Sequence, residues 1–250
     1  MVNFFCRQER SFGLGNFINC TPTLKALSDY YKEPIPVLFE SIGEGFEDCP
    51  FIRHIDKPEG KELFGSYTVN SSIPDWLFIY NEVQSKLGIK LGPIPDSYVD
   101  SPDEVFINDN THITILRGCF SNIPHKVAAK DPGDDIYIEI IRYLHSQTTL
   151  KTVFVGTEDD YIRAKNMFDV IGKKLEWEKT TLREALALVK HSKFVIGNDT
   201  GLMHAAAALD KKAFCMWKNT NFVKNKTRAT LFYSMRDHFN NFRPWISGLI

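Results

Sequence analysis

The sequence predicts an α/β protein made of two Rossmann-like domains, each a parallel sheet flanked by helices. Two observations carry that expectation. From residue 112 onward, short apolar runs alternate with helical stretches of 8–12 residues, the pattern of βαβ units. Between residues 88 and 110, Pro93, Pro95 and Pro102 stand among acidic and small residues, the composition of a linker. A chain of 250 residues holds two such halves of about 100–130 residues each.

The elements follow in order. Asn3–Arg7 reads as a short buried strand that enters a turn, Phe12-Gly13-Leu14-Gly15-Asn16. Phe17–Tyr31 is a helix by the spacing of Leu24, Leu27 and Tyr31. Pro36–Glu40 and Phe51–Ile55 are strands, whereas Pro58–Ser72 shows only a weak pattern. Asp75 caps a helix reaching Leu87, with Leu77, Tyr80 and Val83 spaced by three. Beyond the linker, the strands His112–Arg117, Thr152–Gly156, Phe194–Gly197 and a final Ala213–Trp217 alternate with helices. Those helices are Asp135–Ser146, Asp160–Ile171, Thr181–His191 and Thr200–Leu209. The tail carries Phe232, Tyr233, Phe239, Phe242 and Trp245, too apolar a set to hang in solvent. The expected division is a first domain over 1–105, a second over 106–226, and a tail, 227–250, packing back toward the first.

Composition narrows the function. Hydrophobic residues at 43% and charged residues at 24% suit a soluble globular chain. The net charge of −1 supplies no basic surplus for gripping nucleic acid, which is not favoured as a partner. The five cysteines are scattered, without metal-ligand spacing, so neither a disulfide framework nor a structural zinc is expected. No apolar run is long enough to span a membrane. The N-terminal stretch lacks the apolar core of a signal peptide, so the expected location is cytoplasmic.

One segment concentrates the chemistry. Phe194–Gly197 ends a buried strand, Asn198-Asp199-Thr200-Gly201 forms a polar turn, and a helix with His204 on its first turn follows. In a parallel sheet the ligand crevice lies beyond the carboxyl ends of the strands. The first amides of a helix lack intrahelical partners and form an anion site. Gly201 lets a phosphate approach the backbone, and Thr200 adds a hydroxyl. The plainer alternative is that Asn198 and Asp199 only cap the helix and His204 is a packed core residue.

The run from Thr180 to Trp217 resembles the donor-site signature of the heptosyltransferases, glycosyltransferase family 9. It departs at Leu202 and Lys212, where the family usually has proline. Gly13-Leu14-Gly15-Asn16 with Thr21-Pro22 is similar to the family's first loop and helix. Arg117-Gly118-Cys119 with Pro124-His125-Lys126, and Val155-Gly156-Thr157-Glu158-Asp159, match two further blocks. The resemblance implies a GT-B fold, two Rossmann-like domains with a cleft between them. It also implies a nucleotide-sugar donor and a glycan, glycolipid or other hydroxyl acceptor.

On the donor side the resemblance points to Gly118, Lys126 (with Lys130 as rival), Glu158 (with Asp159 as alternate), Asn198, Asp199, Thr200, Gly201 and His204. Gly13, Gly15 and Asn16 fall on the acceptor side, in a first domain shorter than usual. Asn16 and Lys126 would be the catalytic positions. Asn16 stands where the family usually has an aspartate general base, and an amide cannot take that proton. Glu40, Glu44 and Asp48 are the nearest carboxylates to replace it. Asp134-Asp135 and Asp159-Asp160 are adjacent pairs, better read as helix-start charges than as a metal motif. No metal or cofactor is expected. The resemblance implies inverting, metal-independent transfer of a sugar, with ADP-heptose as one donor. Its alternatives are a nucleotide-sugar-binding module without turnover and a transferase acting on modified nucleic-acid bases.

Overall fold

The computed structural model describes residues 2–10, 13–64, 73–102, 111–118, 130–172, 175–218, 232–234 and 236–250. The chain divides into two compact units, the first holding it up to Ser101 and the second taking it up at Pro102.

In the first unit, β1 (Phe4–Gln8), β2 (Ile35–Phe39), β3 (Ile52–Ile55) and β4 (Lys61–Phe64) form a parallel sheet in the order β3-β2-β1-β4. Two helices pack together beside it, α1 (Leu14–Tyr31) and α2 (Asp75–Leu87). Helix α1 begins earlier than its apolar spacing suggests, because Gly13 is already the extended N-cap residue. Pro22 lies inside α1 and has no N–H for the carbonyl of Ile18. The Thr21 hydroxyl donates to that carbonyl instead, at 2.7 Å, and accepts from the Tyr98 amide at 2.8 Å. The Thr-Pro pair thus keeps the helix straight enough to continue and fastens a distant segment to it.

Strand β4 lies where the sequence shows little pattern, since Lys61 and Glu62 are both exposed and only Leu63 and Phe64 are buried. The turn into it needs glycine: Gly60 has φ +78°, and a Cβ there would meet the Asn3 carbonyl oxygen at 2.6 Å. Residues 88–101 are irregular but packed, with Leu91, Val99 and Asp100 buried. The Asp100 carboxylate accepts from the Asp48 amide at 3.0 Å and from the Tyr98 hydroxyl at 3.2 Å. Proline forbids regular structure here without forbidding burial.

The second unit contains β5 (His112–Leu116), α3 (Asp134–Gln147), β6 (Lys151–Val155), α4 (Glu158–Arg163), α5 (Lys165–Ile171) and β7 (Leu175–Glu178). It continues through α6 (Leu182–His191), β8 (Val195–Asn198), α7 (Gly201–Ala208), β9 (Ala213–Met216), β10 (Phe232–Ser234) and α8 (His238–Ser247). Its sheet is parallel, in the order β10-β9-β8-β5-β6-β7. Strand β5 is buried along its whole length, and α3 covers it with Tyr137, Ile140, Ile141 and Leu144, a stripe at helical spacing. The adjacent carboxylates Asp134-Asp135 and Asp159-Asp160 do lie in first turns, of α3 and α4.

Two expectations change here. The single helix over 160–171 is two, because the backbone breaks at Ala164. Strand β9 is not the last, since β10 pairs beside it. The described end of the tail packs on the second unit: Phe242 and Ile246 are fully buried in that core, with the Phe242 ring 5.2 Å from Phe214. By extending the second sheet, β10 delivers α8 onto that sheet's own face. No helix among the described residues is long and apolar enough to cross a membrane.

Candidate functional site

The second sheet reverses its winding between β5 and β8. The chain moves outward from β5 to β6 and β7, then lays β8, β9 and β10 on the other side. Loops leaving the strand ends at such a switch point diverge and open a crevice. Here they are Arg117-Gly118 after β5 and Asp199-Thr200 after β8. Gly197 sets how closely the strands approach, because a Cβ there would lie 2.5 Å from the Leu116 carbonyl oxygen.

Asn198 is fully buried, and its amide braces the crevice floor. Its Oδ1 accepts from the Gly118 amide at 3.3 Å, while its Nδ2 donates to the carbonyls of Gly118 at 3.3 Å and Lys130 at 3.2 Å. Tyr137, beneath it, donates its hydroxyl to the Leu116 carbonyl at 2.9 Å. Thr200 caps α7, its hydroxyl accepting from the Met203 amide at 3.3 Å. Its carbonyl accepts from His204 N–H at 3.3 Å. The amides of Gly201 and Leu202 therefore stand at the open end of α7, where the helix dipole favours an anion.

Asp199 is the charged centre. Lys130 Nζ lies 2.9 Å from its Oδ2, and His204 Nε2 lies 3.5 Å from its Oδ1. Burial pushes the Asp199 carboxyl up, but His204 and the Lys130 charge outweigh it and hold the group at about 2, below its ordinary 3.8. The other ring nitrogen of His204 is buried without a hydrogen-bond partner among the described residues.

Gly118 leaves a notch beside this cluster, where a Cβ would sit 3.4 Å from the Thr200 methyl and 3.5 Å from Asp160 Oδ2. Asp160 is buried and closes a capping box with Thr157 at the start of α4. On the near side, Arg117 is buried and grips Asp131 with two N–H groups, at 3.1 and 2.9 Å, and Asp134 with a third.

Gly118, Asn198, Asp199, Thr200, Gly201 and His204 are thus gathered at the neighbouring ends of β5 and β8. Lys126 lies outside the described residues; Lys130 is the lysine seen at the cluster. Glu158 and Asp159 are exposed on the first turn of α4, and Glu158 pairs with Lys179 at 3.2 Å. Asp160, Arg117 with Asp131, and Tyr137 were not assigned to the site from sequence. Only the Thr157–Asp160 spacing, that of a capping box, carried a readable signal.

In the first unit, Gly13 and Asn16 are exposed at the start of α1 and Gly15 is buried. Glu40, Glu44 and Asp48 are exposed. Glu40 is held by Arg7 at 3.5 Å and accepts from the Arg10 amide at 3.2 Å.

Residues 125–238 match the model of glycosyltransferase family 9 (heptosyltransferase). Over that stretch, a little under half of the chain, the sequence is similar to glycosyltransferase family 9. No curated protein sequence matches the chain. Among solved structures, a glycosyl transferase family 9 protein from Veillonella parvula is similar at 14% identity with a TM-score of 0.74, covering 98% of this chain and 89% of its own. The E. coli heptosyltransferase WaaC with ADP gives 13% identity, a TM-score of 0.70 and coverage of 98% and 99%. The E. coli ADP-heptose lipopolysaccharide heptosyltransferase II gives 12%, 0.69 and coverage of 98% and 98%. WaaC has also been solved with ADP-2-deoxy-2-fluoro heptose. These likenesses show that the fold is GT-B. The family 9 match spans Lys130, β8, Asp199 and the α7 N-terminus, while Arg117-Gly118 on the β5 side of the crevice lie just ahead of it.

Proposed function

We propose that the protein transfers a sugar, with inversion and without a metal, from a nucleoside-diphosphate sugar of the ADP-heptose class to a hydroxyl acceptor. One observation carries this most: the open start of α7 sits beside Lys130 and Asp199 at the switch point of the second sheet. The second unit is the donor side. The Gly201 and Leu202 amides and Lys130 meet the diphosphate, and the Gly118 notch keeps backbone open to it. Asp199 holds Lys130 and accepts a sugar hydroxyl, and Glu158 reads the ribose diol. Asn198 supports the floor from below.

The acceptor oxygen attacks the anomeric carbon from the face opposite the diphosphate. The carbon–oxygen bond to the diphosphate breaks, and the nucleoside diphosphate departs with the electron pair into the preorganised amides and ammonium. Asn16 orients the hydroxyl, and a carboxylate of the first unit, Glu40, Glu44 or Asp48, takes its proton.

A thermal-shift screen of nucleoside diphosphates tests the donor side. A true ligand at 100 times its dissociation constant adds about 2.7 kcal/mol of apparent stability. ADP is expected to give the largest shift, and Gly201→Val is expected to abolish it while the protein stays folded. No shift with any nucleoside diphosphate, or an unchanged shift in Gly201→Val, contradicts the donor site. Slow hydrolysis of the sugar nucleotide is then expected in the wild type; binding without hydrolysis or transfer favours a binding module, the alternative that Asn16 raises.

A further inference from the structure

The donor site as proposed depends on one long, flexible side chain, Lys130, and the structure shows how its backbone is fixed. Lys130 is helical, but Asp131-Pro132-Gly133, which leads from it into α3, is not: Pro132 lacks an N–H, and Gly133 has φ +104°. One bond is internal, from the Gly133 amide to Asp131 Oδ1 at 3.2 Å, and the other anchors come from outside. Asn198 bonds the Lys130 carbonyl, and Lys218 Nζ donates to the Asp131 carbonyl at 2.9 Å. Arg117, which leaves β5 just ahead of Gly118, takes Asp131 side-on through Nε and Nη2 and reaches Asp134 through Nη1.

A buried arginine next to an anion site invites the idea that it binds the anion itself. The geometry says otherwise. Two carboxylates already face its guanidinium, which also lies 5.3 Å from the centre of the Tyr137 ring, and only 4% of the side chain is exposed. Its charge is answered within the cluster. What remains is a rigid fork fixed to the end of β5, holding the residue next to Lys130.

We infer that Arg117 and Asp131 are positioning residues that aim the Lys130 ammonium at the crevice. This inference rests on the donor-site reading for its consequence but not for its geometry. Lysine at position 117 keeps the charge and loses the fork, so Arg117→Lys should not substitute.

Two measurements on the full chain test it. In ligand-free protein, acetylation by acetic anhydride is followed lysine by lysine by mass spectrometry. Lys130 is expected to react several times faster in Arg117→Lys and Asp131→Asn, with the other lysines unchanged. An unchanged Lys130 rate in both overturns the positioning role, whatever the site binds. General acceleration of every lysine in both variants also overturns it, since the fork would then be holding the fold and not one side chain.

The second measurement is the ADP affinity of Arg117→Lys, Lys130→Met and the double variant. Each single change is expected to weaken binding about tenfold or more, the scale of one lost charge-assisted contact. The double should be no weaker than Lys130→Met alone. Losses that multiply overturn the inference, because Arg117 would then act on the ligand by another route. If the wild type binds no nucleoside diphosphate, the donor-site reading fails, and the acetylation rates still decide the positioning.

Discussion

The carboxyl ends of the two sheets handle charge in opposite ways. At the end of the first, Arg7 joins Glu40 and Glu62 across a partly exposed surface, with side chains 29–41% exposed. At the end of the second, Asp199 and Arg117 are buried at 3% and 4% exposure, and each is held by more than one partner. Exposed pairs are weak and adjustable. Buried pairs are costly to break and hold their geometry. The contrast suits the proposed division of labour, a fixed site for the diphosphate of a sugar donor on the second sheet and solvent-exposed groups on the acceptor side.

The largest expected difference is in stability. Lys130→Met leaves Asp199 buried with a weaker set of partners and is expected to cost about 3 kcal/mol in urea unfolding. Arg7→Gln, at the other sheet, is expected to cost less than about 1 kcal/mol. Equal costs would erase the contrast.

Acid should expose the same asymmetry. The Asp199 carboxyl is held at about 2, below its ordinary 3.8, so it favours the folded state fully above the ordinary value. That contribution, roughly 2 kcal/mol, is lost as the pH falls from about 4 toward 2. The stability difference between wild type and Asp199→Asn should therefore shrink over that window. A difference that stays constant would mean that the carboxylate is not held by His204 and Lys130.

The smallest effects are expected at Asn16. Asn16→Asp should change turnover within about tenfold, and Asn16→Ala should lower it without abolishing it, with nucleotide affinity unmoved in both. A rise toward the 10²–10⁴-fold typical of a positioned base would show that the amide limits the rate. A large loss of nucleotide affinity would place this loop on the donor side.

The sequence announces the second sheet more clearly than the first, for physical reasons. Strand β8, its polar turn and α7 follow one another without a gap, so strand end, cap and helix start are all local. The span of helix α2 was equally legible, Asp75–Leu87, although its N-cap residue is Pro74 and not Asp75. Strand β4 was not, because two exposed charged residues and two adjacent buried ones break the alternation. Within the site, Asp199, Thr200 and His204 lie on one short stretch and could be read together. The Arg117 fork joins residues 14 and 17 positions apart, and the Asn198 brace spans 68 and 80. No local pattern encodes contacts at such separations, and they become visible only when β5 and β8 lie side by side.

The central claim, that a nucleoside diphosphate sits at the end of the second sheet, is tested most directly by amide hydrogen exchange with and without ADP. Protection is expected in peptides covering Arg117-Gly118, Lys130 and Asp199–His204, with little change in those covering β1 and β2. Protection confined to the first unit, with Asp199–His204 unaffected at saturating ADP, would contradict it.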